Sequence, residues 1–251
     1  NLENKDNVIK IIHETRPDTI IYAAGLTNVD LCEEDNKLAR AINVNGIKNV
    51  IEGARKRDSK IIYISTSVVF SGKKNEYFED DDPDPISFYG KTKLEGEIIV
   101  MNSGLRNLII RTDQPYGWKK KWHHTNSVLR VLDYLERDKI LKEISDWYNT
   151  PTFVDDFITA TTKLIDKQET GIFHVVGSDF LNRYDSAILT AEVFKLNNKL
   201  LKQINSSELK LPAKRSIVNL STKKLFQKTG IKMSRFKDGL TKMLEEKKIW
   251  E

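Results

Sequence analysis

A tyrosine and a lysine lie four residues apart in the run Tyr89-Gly90-Lys91-Thr92-Lys93. On a helix, side chains at positions i and i+4 share one face, so these two can meet. A phenol has an unperturbed pKa of about 10, and a neighbouring ammonium favours the phenolate. Such a pair can donate or accept a proton near neutral pH, which is what the reduction of a carbonyl group requires.

The same spacing occurs a second time, in Tyr116 and Lys120. That pair directly follows a predicted strand, with Pro115 and Gly117 beside it and no signal that would open a helix. We therefore interpret the second pair as a coincidence in a loop and the first pair as the candidate for chemistry.

Hydroxyl groups precede the first pair in the run Ser65-Thr66-Ser67, where a predicted strand over residues 60–64 ends. Ligands of parallel α/β sheets bind outside the carboxyl ends of the strands. A hydroxyl at that position can donate a hydrogen bond to a carbonyl oxygen on which negative charge builds up. The alternative is that Ser65 and Thr66 only cap the strand.

The elements that must position these groups alternate between strands and helices. Continuous apolar runs are typical of strands buried on both faces of a parallel sheet, and they occur at residues 19–24, 60–64, 107–111 and 171–176. Helical patterns separate or precede these runs, at residues 6–15, 35–57, 87–101 and 155–166. The alternation predicts an α/β fold, a Rossmann-like doubly wound parallel sheet.

A second, smaller lobe is predicted from the change in pattern after Gly177. Residues 183–196 and 234–248 are expected to be helical, and residues 218–220 a short strand. We predict a cofactor-binding domain over residues 1–117, completed by residues 150–177. Residues 118–149 and 178–251 are assigned to a C-terminal substrate-binding lobe.

Composition excludes several other classes of protein. The 251 residues carry a net charge of +5, and the lysines form short runs without interleaved aromatic residues, so we expect no nucleic acid as a partner. No apolar run reaches about 18 residues, so we expect no membrane association. Cys32 is the single cysteine, which favours an intracellular protein, and His123-His124 and the other histidines lack the spacing of metal ligands, so no metal is expected.

An ordered series of motifs runs along most of the chain. It comprises Tyr22-Ala23-Ala24-Gly25-Leu26-Thr27-Asn28-Val29-Asp30, Asn43-Val44-Asn45-Gly46, Ile64-Ser65-Thr66-Ser67-Val68-Val69-Phe70, Tyr89-Gly90-Lys91-Thr92-Lys93-Leu94-Glu95-Gly96-Glu97, Arg111-Thr112, Pro151-Thr152-Phe153-Val154-Asp155-Asp156 and His174-Val175-Val176-Gly177. The series resembles the extended short-chain dehydrogenases/reductases. Within them it is most similar to the dTDP-4-dehydrorhamnose reductases and to the related regulatory subunit of methionine adenosyltransferase.

The resemblance implies a catalytic set of Thr66, Tyr89 and Lys93 and a cofactor, NADPH or NADH. Tyr89 would protonate the oxygen of a 4-keto sugar while the nicotinamide delivers hydride to its carbon. Lys93 would hold the nicotinamide ribose and lower the pKa of the tyrosine, and Thr66 would bond to the same sugar oxygen.

Further cofactor contacts are implied for Ala23, Ala24, Gly25 and Thr27, with Tyr89 and Lys93. Asn43 matches a helix asparagine that supports the lysine in this family, and the alternative is a buried polar residue that satisfies backbone groups.

Substrate contacts are implied for Thr66, Ser67, Gln114, Asn126 and Arg215. At Asn126 and Arg215, which fall where the nucleotide diphosphate binds, the alternatives are a helix cap and a surface arginine. The chain departs from the family pattern twice. Ser67 stands where an aspartate usually follows the threonine, and Arg111-Thr112-Asp113-Gln114 stands where the family has Arg-Thr-Ser followed by a tryptophan that faces the sugar.

A glycine-rich turn after the first strand is also expected for a dinucleotide site. None of the 12 glycines forms such a motif, and the chain opens at Asn1 without a methionine. We therefore expect that roughly 40 residues, containing the first βαβ segment, precede this sequence. Because the residue that reads the ribose 2′ position would lie there, the choice between NAD and NADP stays open.

The predicted function is the NAD(P)H-dependent reduction of a nucleotide-linked 4-keto-6-deoxy sugar, as in dTDP-rhamnose biosynthesis. The alternatives are a non-catalytic nucleotide-binding regulatory subunit and another sugar-nucleotide epimerase or dehydratase. A nucleotide-sugar substrate, a cytoplasmic location and a homodimer complete the expectation.

Overall fold

The structure is a computed structural model that describes residues 1–120 and 125–250, without the side chains of residues 248 and 249. The prediction for His123 and His124 lies outside the described residues. Among the described residues, no cluster of histidine, cysteine and acidic side chains is arranged to hold a metal ion. No helix in those same ranges is long and apolar enough to cross a membrane.

Ten strands and ten α-helices make up most of the described chain. The strands are β1 (Thr19–Tyr22), β2 (Lys60–Thr66), β3 (Asn107–Thr112), β4 (Pro115–Tyr116), β5 (Leu141–Ile144), β6 (Tyr148–Asn149), β7 (Thr152–Phe153), β8 (Gly171–His174), β9 (Leu181–Asn182) and β10 (Leu201–Ile204). The helices are α1 (Lys5–Thr15), α2 (Val29–Glu34), α3 (Asn36–Arg40), α4 (Gly46–Arg55), α5 (Phe88–Met101), α6 (Ser127–Glu136), α7 (Val154–Asp166), α8 (Arg183–Val193), α9 (Lys223–Thr229) and α10 (Phe236–Trp250).

The main sheet is parallel and has the order β1-β2-β3-β8, built from the four predicted strands. Successive side chains of a strand point to opposite faces. Tyr63 and Ile109 pack with α1, α4 and α5 on one face, whereas Ile62 and Leu108 pack with α7 and α9 on the other. Helices therefore cover both faces of a parallel sheet, which confirms the predicted α/β class.

Helix α5 begins where its sequence sets the first turn. The Ser87 side chain accepts a hydrogen bond from the Gly90 amide, so it caps the helix at its N-terminus. A Cβ at Gly90 would clash with the Val68 carbonyl oxygen. Glycine at this position therefore lets the first turn of α5, which carries Tyr89, pack closely against the end of β2.

The predicted helix over residues 35–57 is interrupted. It consists of α3, a π-helical segment Ala41–Asn45 and α4. A π-helical turn is rare and is found mostly at functional sites. Here it contains the buried Asn43, and the hydrophobic periodicity gave no sign of the changed hydrogen bonding.

The segments assigned to the smaller lobe meet in space. Strands β5 and β10 pair in parallel, and α6 and α8 bury apolar side chains against them. The division into two lobes stays a prediction. The predicted strand at residues 218–220 is wrong, because only Leu220 forms an isolated bridge, to Tyr77.

Candidate active site

Thr66, Tyr89 and Lys93 come together at the carboxyl end of β2. Strand β2 ends at Thr66, whose hydroxyl is near enough to the Tyr89 phenol to oppose the rise in its pKa. The Lys93 ammonium donates a hydrogen bond of 2.7 Å to the Ile64 carbonyl oxygen, two residues before Thr66. All three side chains line one cavity of about 560 Å³. A hydroxyl, a phenol and an amine thus converge on a single space that a small molecule can enter.

Lys93 is an amine in apolar surroundings. Its Nζ lies 4.1 Å from the centroid of the Tyr63 ring, and the residue is 5% exposed. Burial lowers the pKa of Lys93 to about 7, and the negative charge of Glu97 opposes that shift. At neutral pH the group therefore exchanges readily between its charged and neutral forms.

Tyr89 remains a phenol rather than a phenolate. Burial raises its pKa above the ordinary value, and the Thr66 hydroxyl opposes the rise. The prediction that Lys93 lowers the pKa of Tyr89 is therefore wrong for this structure. The physical reason is that burial disfavours the charged phenolate and raises the pKa of Tyr89.

A buried ion pair lies behind these residues. The Arg111 guanidinium donates to both carboxylate oxygens of Glu97, at 3.0 and 2.7 Å, and both side chains are almost fully buried. Ser65 donates a third hydrogen bond to Glu97. Sequence reasoning missed this arrangement, although Lys93 and Glu97 are i and i+4 on α5, a spacing that signals neighbouring side chains. Through the hydrogen bond from Ser65, the ion pair fixes the residue that precedes Thr66.

The loop after β1 forms another wall of the cavity. Ala23, Ala24, Gly25 and Thr27 all line it, as the resemblance implies. A Cβ at Gly25 would lie 3.0 Å from the Asn43 amide oxygen, which is a tight contact. Glycine at this position therefore lets the loop approach Asn43 closely.

Asn43 holds that loop in place. Its amide oxygen accepts from the Leu26 amide at 2.7 Å, and its Nδ2 donates to the Leu26 carbonyl and to the Thr92 hydroxyl. These bonds match the alternative interpretation, a buried polar side chain that satisfies backbone groups. A contact with the cofactor stays a prediction for Asn43.

The residues after β3 and β2 form a polar wall. Asp113 accepts hydrogen bonds from the Thr150 amide at 2.9 Å and the Thr150 hydroxyl at 3.2 Å. Burial raises the pKa of Asp113 to about 6. Gln114 lines the cavity with a left-handed backbone, φ 38°. Ser67, predicted to contact substrate, is buried and is not among the residues that line the cavity.

The far end of the cavity is strongly basic. It is lined by Arg130, Arg183, Lys214 and Arg215. Arg215 bonds to Asp30 at 2.6 Å, so it is not the free surface arginine of the alternative interpretation. Arg130 and Arg183 are both paired with the buried carboxylate of Glu143.

Two further side chains line the cavity: Asn126, which was predicted to contact substrate, and Trp147, which was not. Asn126 lines the cavity and also caps α6, since its side chain accepts from the Leu129 amide at 3.0 Å. The guanidinium groups of Arg183 and Arg215 each lie 5.5 Å from the centroid of the Trp147 ring. Sequence reasoning identified neither Trp147 nor Arg183, because they come from segments joined only by the fold.

Comparison with known proteins gives a consistent result. The sequence profile of the RmlD substrate binding domain family matches residues 1–249. The dTDP-4-dehydrorhamnose reductase of Aggregatibacter actinomycetemcomitans is 31% identical over 252 residues, covering 95% of this chain and 84% of that protein. Methionine adenosyltransferase 2 subunit beta of Pongo abelii is 30% identical over 213 residues, covering 82% of this chain and 64% of that subunit's length.

A solved structure extends the likeness to the backbone. The dTDP-4-dehydrorhamnose reductase of Bacillus anthracis, crystallised in complex with NADP, superposes with a TM-score of 0.92 at 26% identity. The alignment covers 98% of this chain and 86% of that one.

Proposed function

The chain belongs to the RmlD substrate binding domain family, and on that basis we propose that it is an NAD(P)H-dependent reductase of a nucleotide-linked 4-keto-6-deoxy sugar, as in dTDP-rhamnose biosynthesis. One observation carries the proposal. A protonated phenol, a hydroxyl and a buried amine meet in a cavity whose other end is lined by arginines. The phenol, the hydroxyl and the amine suit the reduction of a carbonyl group, and the arginines suit the binding of a diphosphate.

The nicotinamide cofactor fits the residues present. The loop at residues 23–27 offers small side chains and a glycine that approaches Asn43 closely, which leaves a shallow cradle in the cavity wall. An ammonium has three donors, and Lys93 uses one for the Ile64 carbonyl, so others are available for ribose hydroxyls. When bound, the cofactor supplies the hydride for the sugar carbon.

Tyr89 supplies the proton. Its raised pKa keeps the phenol protonated at neutral pH, which suits a general acid in the direction of reduction. As the carbonyl carbon accepts hydride, Tyr89 gives its proton to the oxygen, the sugar gains a hydroxyl, and a phenolate remains that takes a proton from solvent. Thr66 donates a hydrogen bond toward the same developing charge. A charged Lys93 stabilises the phenolate that forms.

The basic end of the cavity binds the nucleotide diphosphate. Guanidinium groups recognise phosphate oxygens through paired donors, and Arg130, Arg183 and Arg215 line this cavity. Asn126 and Gln114 line the same cavity as the arginines and the catalytic set. We assign them to the sugar and its linkage.

The test is the oxidation of NADPH by the full-length protein in the presence of dTDP-4-keto-6-deoxy sugar, followed by absorbance. We expect Tyr89→Phe to lower kcat at least about 100-fold, the usual worth of a general acid. Tyr116→Phe is the matched control, because the Tyr116 hydroxyl is buried against the Phe236 carbonyl and lies outside the cavity lining. Unchanged reduction by Tyr89→Phe would refute the catalytic assignment.

A regulatory role is the second candidate, favoured by the 30% identity to methionine adenosyltransferase 2 subunit beta. In that case the cavity binds a nucleotide without turnover. Titration with NADPH without a fluorescence change, together with co-purification of a larger enzyme, would favour this role. The reductase proposal expects a fluorescence change and turnover.

A homodimer and a cytoplasmic location complete the proposal. Light scattering on the purified protein measures the first, and cell fractionation tests the second.

A further inference from the structure

Glu143 is a buried carboxylate to which the proposed mechanism assigns no role. It lies on β5, is 2% exposed and is not among the residues that line the catalytic cavity. Taking a carboxylate out of water is costly unless charged partners compensate it. The partners of Glu143 therefore indicate what it does.

Two arginines share this carboxylate. Its Oε1 accepts a hydrogen bond from Nη2 of Arg130, and its Oε2 accepts one from Nε of Arg183 at 3.3 Å. Each carboxylate oxygen thus holds a different guanidinium group. Arg130 lies on α6 and Arg183 is the first residue of α8, so Glu143 on β5 joins three elements of the chain.

The two arginines line the catalytic cavity, although the carboxylate that holds them does not. A guanidinium has five N–H donors, and the bond to Glu143 uses one of them on each arginine. Two guanidinium groups and one carboxylate also leave a net positive charge. The cluster of Glu143, Arg130 and Arg183 therefore keeps both the donors and the charge that an anion in the cavity needs.

Prior restraint of the arginines favours binding. An arginine side chain has many rotamers, and ordering it when a ligand binds lowers the affinity. Because Glu143 already restricts Arg130 and Arg183, less ordering has to accompany the binding of a ligand. The ring of Trp147, whose centroid lies 5.5 Å from the Arg183 guanidinium, restricts that side chain further.

We propose that Glu143 is a positioning residue for the diphosphate of the substrate, which holds Arg130 and Arg183 in the orientation that the phosphate groups require. The inference rests on the proposed binding of a nucleotide sugar. Glu143 acts through the two arginines and touches no substrate in this account.

The sign of the change in affinity separates this role from two others. A negative charge beside the arginines weakens their attraction for a diphosphate, so a purely electrostatic effect of removing it would tighten binding. A role in stability alone would lower the melting temperature and leave the affinity of the folded protein unchanged. Loss of positioning weakens binding.

The experiment measures the binding of dTDP to the full-length protein by isothermal titration calorimetry, and NADPH oxidation with dTDP-4-keto-6-deoxy sugar. Glutamine keeps the size of Glu143 but turns an N–H group toward one of the two guanidinium groups. Glu143→Gln should therefore raise the Kd of dTDP and the KM of the sugar about tenfold, with kcat within about twofold of wild type. Circular dichroism melting shows that each variant is folded.

A double-mutant cycle tests whether Glu143 acts through Arg183. In the Arg183→Met background, Glu143→Gln should raise the Kd of dTDP only about threefold, because one of the two groups that Glu143 positions is absent. Glu143→Asp is a second variant in case Glu143→Gln does not fold. It keeps the charge but shortens the side chain by one methylene, which displaces the carboxylate from the arginines, so Kd should rise about threefold.

The matched control is Asp133→Asn. Asp133 lies on α6, the helix that carries Arg130, and pairs with Arg137 at 2.8 Å on the surface, outside the cavity lining. The substitution removes one negative charge, as Glu143→Gln does. We expect the Kd of dTDP to stay within about twofold of wild type.

Three results would overturn the inference. They are a Kd of dTDP that is unchanged or lower in Glu143→Gln, an undiminished effect of Glu143→Gln in the Arg183→Met background, and an equal rise in Asp133→Asn. Wild-type protein that binds dTDP without oxidising NADPH would refute the reductase proposal and leave this inference to the variants. Wild-type protein that oxidises NADPH with the sugar but does not bind dTDP would overturn this inference alone.

Discussion

Replacing Glu97 by glutamine should destabilise the protein strongly. The change leaves the Arg111 guanidinium charged inside a buried site where its carboxylate partner had held it at 3.0 and 2.7 Å. The two side chains are 0% and 2% exposed, so water cannot take the place of the lost charge. Removing one partner of a buried ion pair costs about 3–5 kcal/mol.

That free energy converts to a large shift in melting temperature. For a chain of this size, each kcal/mol lowers Tm by about 2–4 °C, so Glu97→Gln should melt about 6–20 °C below wild type. The assay is denaturation with guanidinium chloride, followed by tryptophan fluorescence, with a parallel thermal melt. A control is Asp133→Asn, which removes an exposed i,i+4 pair with Arg137 and should cost less than about 0.5 kcal/mol.

A double variant separates burial of charge from loss of contacts. In Glu97→Met/Arg111→Met, neither charge is buried, and apolar side chains of similar volume fill the site. Such replacements are often neutral or stabilising, so the double variant should be more stable than Glu97→Gln. A loss below about 1 kcal/mol in Glu97→Gln, or a double variant less stable than the single one, would refute the reasoning.

Two further predictions concern the cavity. Burial lowers the pKa of Lys93 from 10.5 in the unfolded chain to about 7 in the folded protein. Between these two pH values the unfolded chain binds a proton that the folded protein does not. The free energy of unfolding of the wild type should therefore rise with pH in that window. The slope is at most about 1.4 kcal/mol per pH unit, and Lys93→Met should lack this contribution when unfolding is measured at several pH values. Arg215→Met should raise KM for the nucleotide sugar about tenfold with kcat nearly unchanged, because it removes a diphosphate contact remote from the reacting carbonyl; an unchanged KM in steady-state kinetics would count against that assignment.

The sheet and the meeting of Thr66, Tyr89 and Lys93 could be predicted largely from local sequence. Continuous apolar runs identified β1, β2, β3 and β8. Strands β2 and β3 are buried on both faces, as such runs indicate, whereas β1 is an edge strand on which Ile21 is 56% exposed. The Tyr89 and Lys93 spacing needed only a helix, and the Ser87 cap provides its start. The end of β2 located the hydroxyls of residues 65–67, and the family resemblance singled out Thr66 among them. Each of these inferences depends on neighbours within a few residues.

The remaining parts depend on contacts between distant segments. The Glu97 and Arg111 pair joins α5 to β3, and no local pattern states that the two face each other. Strands β5 and β10 are four residues each, and one becomes recognisable only when the other lies beside it. Asp113 was noticed as a departure from the family pattern, but its hydrogen bonds with Thr150 join residues that are 37 positions apart in the chain.

The expectation for the pKa of Tyr89 failed for a related reason. From sequence, an ammonium four residues away favours the phenolate. In the fold the same helix carries both side chains into a buried space, and burial lowers the pKa of Lys93 and raises that of Tyr89. Desolvation exceeded the attraction between the groups, and sequence spacing carries no information on the depth of burial.

The central claim is that this chain reduces a sugar carbonyl by hydride transfer, with Tyr89 as the proton donor. The most direct test supplies NADPH deuterated at the transferable position of the nicotinamide together with dTDP-4-keto-6-deoxy sugar, and analyses the product by mass spectrometry and proton NMR. The account predicts one deuterium on sugar carbon 4 with wild-type protein, and at least about 100-fold slower labelling with Tyr89→Phe. A product without deuterium at that carbon, or equal labelling rates for the two proteins, would contradict it.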